Sequence, residues 1–480
     1  MMETSGIAPQ SLYVDLDGTL VRTDTLWESL VLLSGRAPFK ALSALTAIGS
    51  GRSAFKRRVA DGISIDPASL PYDETLLVYL RAEHERGRRI VLATAAHETI
   101  ARSVADHLGM FDDVLATDAR GNNKGEAKAE RIREHAAGRS WAYAGDHAVD
   151  LSIWKQADAA VVVTHDRNLV EQAARHTTIE RTFMKQSWTL ADLLRQWRVH
   201  QWVKNILLFG PLFLAHRITD PDALLNVVLA VVVFNVVASA VYVVNDLMDL
   251  ASDRRHPTKR HRPLASGVLP IPVALASVPV LLAVGTVITT VLLPWSFALW
   301  VAGYAVITTL YTFVLKRVAI VDVLTLSGLY TLRILAGGAA AGVSVSPWLL
   351  MFSMFLFTSL AFLKRYTELV DTADREGTTV AGRGYVPADA DFVRSIGPGV
   401  GLIAVLVFTL YLNSRDVQIL YLHPLRLWLL VPCLLYWISR LWFIAHRREM
   451  HDDPILFAVR DPISYLVGVV ALVIIVMASV

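Results

Sequence analysis

The sequence predicts two folds in series, an α/β domain on a parallel sheet and then an all-α domain that crosses a membrane repeatedly. The 480 residues exceed one ordinary globular domain, so two units are expected from length alone. Residues up to about 185 are mixed and charged, whereas from about 200 apolar runs follow one another between short charged loops. In the first part, short apolar runs alternate with charge-rich helical stretches, the pattern of a sheet covered by helices on both faces. The expected division is 1–184 for the α/β domain, 185–202 for a linker helix and 203–480 for the membrane domain.

Strands are expected at Leu12–Val14, Ile90–Ala93, Trp141–Ala144 and Ala159–Val163. Residues from about 22 to 80 lack strand alternation and read as a helical insertion. In the linker, Leu190, Leu193, Leu194 and Trp197 recur at i, i+3, i+4 and i+7, one helical face. Arg195 and Arg198 fall off that stripe, and Trp188, Trp197 and Trp202 suit a headgroup region. An amphipathic helix lying in the membrane interface is therefore expected; the plainer alternative is a last helix of the α/β domain. Spanning a bilayer takes roughly 20 apolar residues. Runs near 203–217, 222–245, 271–293, 295–315, 318–338, 346–363, 396–413, 425–445 and 462–480 give about nine spans, the first and fifth being short or polar.

The net charge of +3 is too small to indicate nucleic acid, but its placement is informative. Loops carrying Arg254 to Arg262, Lys316 and Arg317, Lys364 and Arg365, and Arg447 and Arg448 fall on one side, as do Arg195, Arg198 and Lys204. Such excess marks the cytoplasmic face. Met1–Gln10 lacks the basic and apolar regions of a secretory signal. Both point to a multi-pass protein of the cell inner membrane, its N-terminal domain and both sites cytoplasmic and Val480 outside. The single cysteine, Cys433, excludes an internal disulfide framework and a thiolate metal cluster.

The first chemical constellation begins at Asp15-Leu16-Asp17-Gly18-Thr19, directly after the first strand. Reactive groups in such sheets sit beyond the carboxyl ends of the strands. Two carboxylates two residues apart, beside a glycine that permits a sharp turn, can hold Mg²⁺ and present a nucleophile. Thr94 ends the next strand, Lys124 follows in N-N-K-G-E, and Gly145-Asp146 with Asp150 follows Trp141–Ala144. Any one of these is an ordinary turn; four in order, three directly after strands, are not. Across residues 10–180 the chain resembles the haloacid dehalogenase (HAD) superfamily, and the insertion resembles the cap of its phosphoserine-phosphatase-like branch. The resemblance implies a HAD-like Rossmannoid domain with a small helical cap and an active phosphatase. Asp15 would attack phosphorus and Asp17 would protonate the leaving group. Thr94 and Lys124 would hold the transferring phosphoryl group. Asp146, with Asp15 and Asp17, would ligate Mg²⁺, supported by Asp150.

The second constellation is N-D-L-M-D-L-A-S-D, where a helix puts Asn245, Asp249 and Asp253 on one face beside Asp246. Carboxylates gathered at a membrane edge repel one another unless a cation joins them. Arg254, Lys259, Arg260 and Arg262 follow at once, and bases for phosphate oxygens beside acids for Mg²⁺ make a diphosphate site. An ordinary charged loop accounts for the bases but not for the carboxylate spacing. The pattern resembles the motif of the UbiA superfamily of intramembrane prenyltransferases over residues 195–480, which implies the UbiA fold.

The second aspartate-rich motif of that superfamily is depleted here. Only Asp322 and Glu368 remain in the comparable stretches, and Lys316, Lys364 and Arg365 stand where further acids are expected. Q-W-V-K-N, Y-T-F-V-L-K, L-R-I-L-A-G-G and L-K-R-Y-T-E-L, together with the aspartate run, resemble the decaprenyl-phosphate phosphoribosyltransferase branch. That resemblance implies an Mg²⁺-dependent membrane glycosyltransferase with phosphoribosyl diphosphate as donor and a polyprenyl phosphate lipid as acceptor. Asn245, Asp246, Asp249 and Asp253 would hold Mg²⁺, giving one ion in each domain. Lys204, Arg254, Lys259, Arg260, Arg262, Lys316, Lys364 and Arg365 would take phosphate oxygens, with Asn205, Tyr311, Asp322 and Glu368 completing the substrate set. The alternative is a UbiA-type prenyltransferase moving a prenyl group from its diphosphate to an aromatic or quinone-precursor acceptor, with an accessory phosphatase. The oligomeric state is open, a homo-oligomer included. Gly337, Gly338 and Gly342 are expected to permit close helix packing, and the loop after Glu368 to act as a lid.

Overall fold

The computed structural model describes residues 10–37, 39–40, 43–44, 58–59, 63–117, 123–374, 383–450 and 453–479. The chain divides into two compact units, Met1–Trp197 with Tyr242–Ser277, and Arg198–Val241 with Val278–Val480.

The first unit is built on six parallel strands: β1 Ser11–Val14, β2 Arg89–His97, β3 Asp113–Thr117, β4 Trp141–Gly145, β5 Ala159–Thr164 and β6 Thr178–Met184. Their order is β3-β2-β1-β4-β5-β6. Alternate residues feed two cores, Leu12, Val14, Leu92 and Val161 on one face and Tyr13, Val91, Tyr143 and Val162 on the other. Burial on both faces is why the inner strands read as continuous apolar runs. The sequence reading missed β3 and β6, the two edges of the sheet. β6, in T-I-E-R-T-F-M, has half-buried to exposed residues throughout and so lacks the apolar run that marks its neighbours. β2 also runs beyond Ala93 to His97 through a shift of register against β3.

Within the predicted insertion, helices occupy Thr25–Arg36 and Glu74–Glu85, and Val21 pairs with Tyr72 at its base. Its residues 45–57 lie outside the described ones. Helix Leu190–Gln196 starts at Thr189, whose hydroxyl and Asp192 form a capping box. Leu190 on it and Trp188 just before it are exposed, while Gln196 is buried. The unit also takes in the end of helix Pro221–Met248, helix Leu250–Arg255 and the turn Lys259–His261.

The second unit is mostly helical. Among the described residues, eight helices of the chain are long and apolar enough to cross a membrane, beside about nine apolar runs in the sequence. The expected span near 203–217 folds instead as a 3₁₀ segment, Val199–Phe209, and a five-residue helix, Gly210–Leu214. The polar fifth run is a full helix, Val321–Ala341, most of whose residues are buried. Its Gly337 meets Leu208 so closely that a Cβ would lie 2.1 Å from the Leu208 carbonyl oxygen, which explains a glycine there.

Candidate functional site

Asp15 follows the central strand β1, between Thr94 of β2 and Asp146 at the end of β4. Gly18 turns the chain at φ +74°, and a Cβ there would lie 2.2 Å from Asp146 Oδ2, so the turn takes only glycine. Carboxylate oxygens of Asp15, Asp146 and Asp150 come within 4.8 Å of one another. Among the described residues this is the one set of three such side chains gathered so closely. Asp150 shapes the loop: its Oδ2 accepts the N–H groups of Asp146 (3.1 Å) and His147 (3.0 Å), and its Oδ1 accepts from the Tyr143 hydroxyl at 3.2 Å. Burial pushes the Asp146 carboxyl up to about 7 against the pull of Lys185. Burial and then the Asp15 carboxylate raise Asp150 as well. Buried oxygens that repel one another in this way fit a bound Mg²⁺.

Asp17 stands apart from that trio. Its Oδ1 accepts the Thr25 N–H at 2.8 Å, and it lines a small cleft with Asp24, Ser29, Val59 and His97. Burial, then the Asp24 carboxylate, push its carboxyl up to about 7, which suits a proton donor near neutrality. Thr94 is fully buried, with Oγ1 accepting the Ala96 N–H at 3.0 Å.

Lys124 is exposed; the ammonium beside Asp15 belongs to Lys128. Lys128 Nζ lies 3.0 Å from Asp15 Oδ2 and donates to the Tyr143 hydroxyl at 2.9 Å, with its side chain 3% exposed. Lys128 lies on the buried face of helix Glu126–Ala136, which starts only after Lys124. Lys128→Met should lower phosphatase kcat/KM by about 10²–10³-fold. Lys124→Ala should change it by a few-fold, and the reverse order in a phosphomonoester assay overturns the assignment. Asn123 was also missed: its side-chain amide donates to the carbonyls of Thr94 (3.0 Å) and Leu115 (2.9 Å), fixing the turn before this helix.

In the second constellation, the helical register survives a change of helix. Asp249 N donates to Asn245 O and Asp253 N to Asp249 O, each at 2.9 Å, although Asp249 sits between two helices. Asp246 and Asp253 are 2% and 3% exposed and share one cation, Arg262, whose Nη1 lies 3.1 Å from Asp246 Oδ1 and 2.5 Å from Asp253 Oδ2. Gln196 donates to Asp246 Oδ2 at 2.8 Å and accepts the Leu264 N–H at 3.2 Å. Burial raises the Asp253 carboxyl. An all-oxygen donor set, two of whose members already hold an internal cation, fits Mg²⁺ in chemistry. Arg262 stands where positive charge is wanted.

Arg254 is held by contacts within the first unit. It grips Glu28 of helix Thr25–Arg36 with two bonds of 2.6 and 3.1 Å, and donates to the carbonyls of Ser69 and Ala265. Lys259 and Arg260 are exposed on the following turn.

The second unit holds two further charge clusters. In one, Asp322 is met by Arg365 (2.5 Å), Arg383 (3.1 Å) and the Tyr311 hydroxyl (2.7 Å). Glu368 pairs with the same two arginines. Two acids and two bases therefore neutralise each other. In the other, Lys204 and Lys364 converge on Asp453. Burial raises the Asp453 carboxyl, but the two ammonium groups more than reverse this and hold it well below the usual carboxylate range. Asn205 Oδ1 accepts from Arg333 Nε at 2.7 Å. Lys316 is half-buried on the turn Leu315–Arg317.

Comparison with known proteins matches the UbiA prenyltransferase family over residues 206–460, more than half of the chain. The chain belongs to the UbiA prenyltransferase family. Residues 12–155 match the haloacid dehalogenase-like hydrolases, so a HAD domain precedes the UbiA domain. The uncharacterised protein y4nM of Sinorhizobium fredii is 37% identical over 95% of this chain and 89% of its own length. Nodulation protein NoeC of Azorhizobium caulinodans is 38% identical over 55% of this chain and 85% of its own. Decaprenyl-phosphate phosphoribosyltransferase of Mycobacterium tuberculosis is 34% identical over 47% and 76% respectively.

Within the UbiA domain, sequence reasoning missed Arg333, Arg383 and Asp453. Arg333 sits in L-R-I-L-A-G-G, an arginine inside an apolar helix, which is a signal in itself. Arg383 falls in the loop expected as a lid, whose residues 375–382 lie outside the described ones. At Gly384 that loop comes so close to Arg317 that a Cβ would lie 2.3 Å from the Arg317 carbonyl oxygen. Asp453 carried no sequence signal.

Proposed function

We propose that this UbiA-family chain is a two-step membrane enzyme of the cell inner membrane, with both sites on the cytoplasmic side. Its UbiA domain transfers phosphoribosyl from phosphoribosyl diphosphate to a polyprenyl phosphate, and its HAD domain removes the 5-phosphate to give polyprenyl phosphoribose. The observation that carries this reading is the state of the depleted second motif: Asp322 and Glu368 are neutralised by Arg365 and Arg383 rather than gathered for a metal. A prenyl-diphosphate donor calls for acids there, whereas a donor with an extra phosphate and an anionic acceptor call for bases. Similarity to the mycobacterial phosphoribosyltransferase supports the same choice.

In the first step, an oxygen of the acceptor phosphate bonds to ribose C1 as the bond from C1 to the diphosphate oxygen breaks. Asn245, Asp246, Asp249 and Asp253 would hold Mg²⁺, which supplies positive charge to the leaving diphosphate. Arg262 withdraws from Asp246 and Asp253 and turns to phosphate oxygens. In the second step, Asp15 Oδ bonds to phosphorus while the bond to the ribose 5-oxygen breaks, and Asp17 gives that oxygen its proton. Asp17 then takes a proton from the water that cleaves the aspartyl phosphate. Lys128, at Asp15, offsets the charge of the transferring group.

Donor use decides between this reading and prenyl transfer. Purified protein given a polyprenyl phosphate should consume labelled phosphoribosyl diphosphate, depend on added Mg²⁺, and ignore labelled prenyl diphosphate. Consumption of the prenyl donor with an aromatic acceptor, and none of the ribosyl donor, overturns it.

A further inference from the structure

Lys204 and Lys364 reach one oxygen, Asp453 Oδ2, at 3.0 and 2.8 Å. The three come from separate parts of the UbiA domain: the 3₁₀ segment Val199–Phe209, helix Pro347–Asp374, and the residue that caps helix Pro454–Arg460. The other oxygen, Asp453 Oδ1, is engaged by the Ile455 N–H at 3.2 Å. That bond fixes where Oδ2 points. The side chains of Lys204, Lys364 and Asp453 are 9%, 29% and 13% exposed, so Lys204 and Asp453 are largely withdrawn from water while one edge of the cluster stays open at Lys364.

One buried and one half-buried ammonium group about one carboxylate leave the cluster with a net charge of +1. A structural brace needs only one base per acid. The surplus, with both donors aimed at a single oxygen, is the geometry that receives one oxygen of a phosphate. Lys204 Nζ also stands 5.9 Å from the centre of the Tyr330 ring, which supports a cation in place when no anion is present.

We propose that Lys204 and Lys364 form a seat for a phosphate-monoester dianion and that Asp453 is its built-in stand-in. Asp453 holds the two ammonium groups at the right separation while the seat is empty and gives up that place when a phosphate oxygen enters. No covalent bond changes. Because the carboxylate must be displaced, a singly charged headgroup gains little over it, whereas a dianion gains from both lysines. Asp453 is therefore a positioning residue that also sets selectivity for dianionic over monoanionic ligands. This deepens the transfer reading above, in which both the acceptor lipid and the donor's 5-phosphate are monoesters of this charge.

The test uses the full chain in lipid nanodiscs, with dodecyl phosphate and ribose 5-phosphate as separate binding probes and dodecyl sulfate as the singly charged control. Removing the internal competitor in Asp453→Asn should tighten one of the two phosphate probes about tenfold, and which one identifies the source. It should also raise sulfate binding from negligible to comparable strength. Asp453→Glu, which keeps a carboxylate, should restore the wild-type preference. A brace alone predicts weaker binding of every probe in Asp453→Asn, and that result, or no change in any probe, overturns the proposal. Should Asp453→Asn not fold, Lys204→Gln serves instead: unaltered phosphate binding there overturns the seat. Binding is read without turnover, so probe binding with no ribosyl transfer would sink the transfer reading and leave this one standing.

Discussion

Asp15→Asn should stop the reaction sequence at the phosphorylated lipid. The variant keeps the shape of the β1 turn, including an oxygen to accept the Leu16 N–H, which Asp15 Oδ1 accepts at 2.9 Å. What it loses is the nucleophilic oxygen and the negative charge. Phosphatase activity should fall by roughly 10³-fold or more, because no other group takes over bond formation to phosphorus. Transfer to the polyprenyl phosphate should continue at its ordinary rate, so polyprenyl phosphoribose 5-phosphate should accumulate and be seen by mass spectrometry of the lipid extract. If Asp15→Asn releases the same dephosphorylated lipid as wild type, the HAD domain does not act on this product. Asp17→Asn should block the same step while leaving the Asp15, Asp146 and Asp150 trio intact.

The second large effect is structural. Arg254→Ala should loosen the HAD domain's insertion from the aspartate motif. Glu28, 4% exposed, would be left buried with the Thr23 hydroxyl at 2.7 Å but no cation. Breaking such a pair from one side costs about 3–5 kcal/mol. The expected readout is faster hydrogen exchange across Thr25–Arg36, the helix that carries Glu28. The joint replacement Arg254→Met with Glu28→Leu should recover much of the protection, since it removes both charges from the interior. Arg260→Ala, on the exposed turn, should leave exchange unchanged. Equal protection in Arg254→Ala and wild type would show that this ion pair does not hold the insertion in place.

Legibility differed between the two domains for a physical reason. In the HAD domain the candidate site residues Asp15 and Asp146 follow strands directly, and the inner strands read as apolar runs because both faces of the sheet are covered. Asp15, Thr94 and Asp146 could therefore be put side by side before any coordinates. The edge strands β3 and β6 could not, since a half-covered strand keeps polar residues such as Glu180 and Arg181. In the UbiA domain hydropathy marked the long helices well, but it could not tell that the apolar stretch Val199–Leu214 is not one continuous helix.

What the sequence determined by itself is whatever depends on neighbours along the chain. The run from Asn245 to Asp253 kept its helical spacing even across the change of helix at Asp249, because i to i+4 hydrogen bonds persist there. Tertiary structure alone decided which charge answers which. Arg254 went to Glu28, 226 positions away, and Lys204 and Lys364 went to Asp453. Lys128, not its neighbour Lys124, reached Asp15, because the helix Glu126–Ala136 turns that face toward the sheet. A buried charge must find an opposite one, and Coulomb attraction in a low-dielectric interior selects by distance in space. Residue spacing records the face of an element; it holds no record of what the fold brings opposite that face.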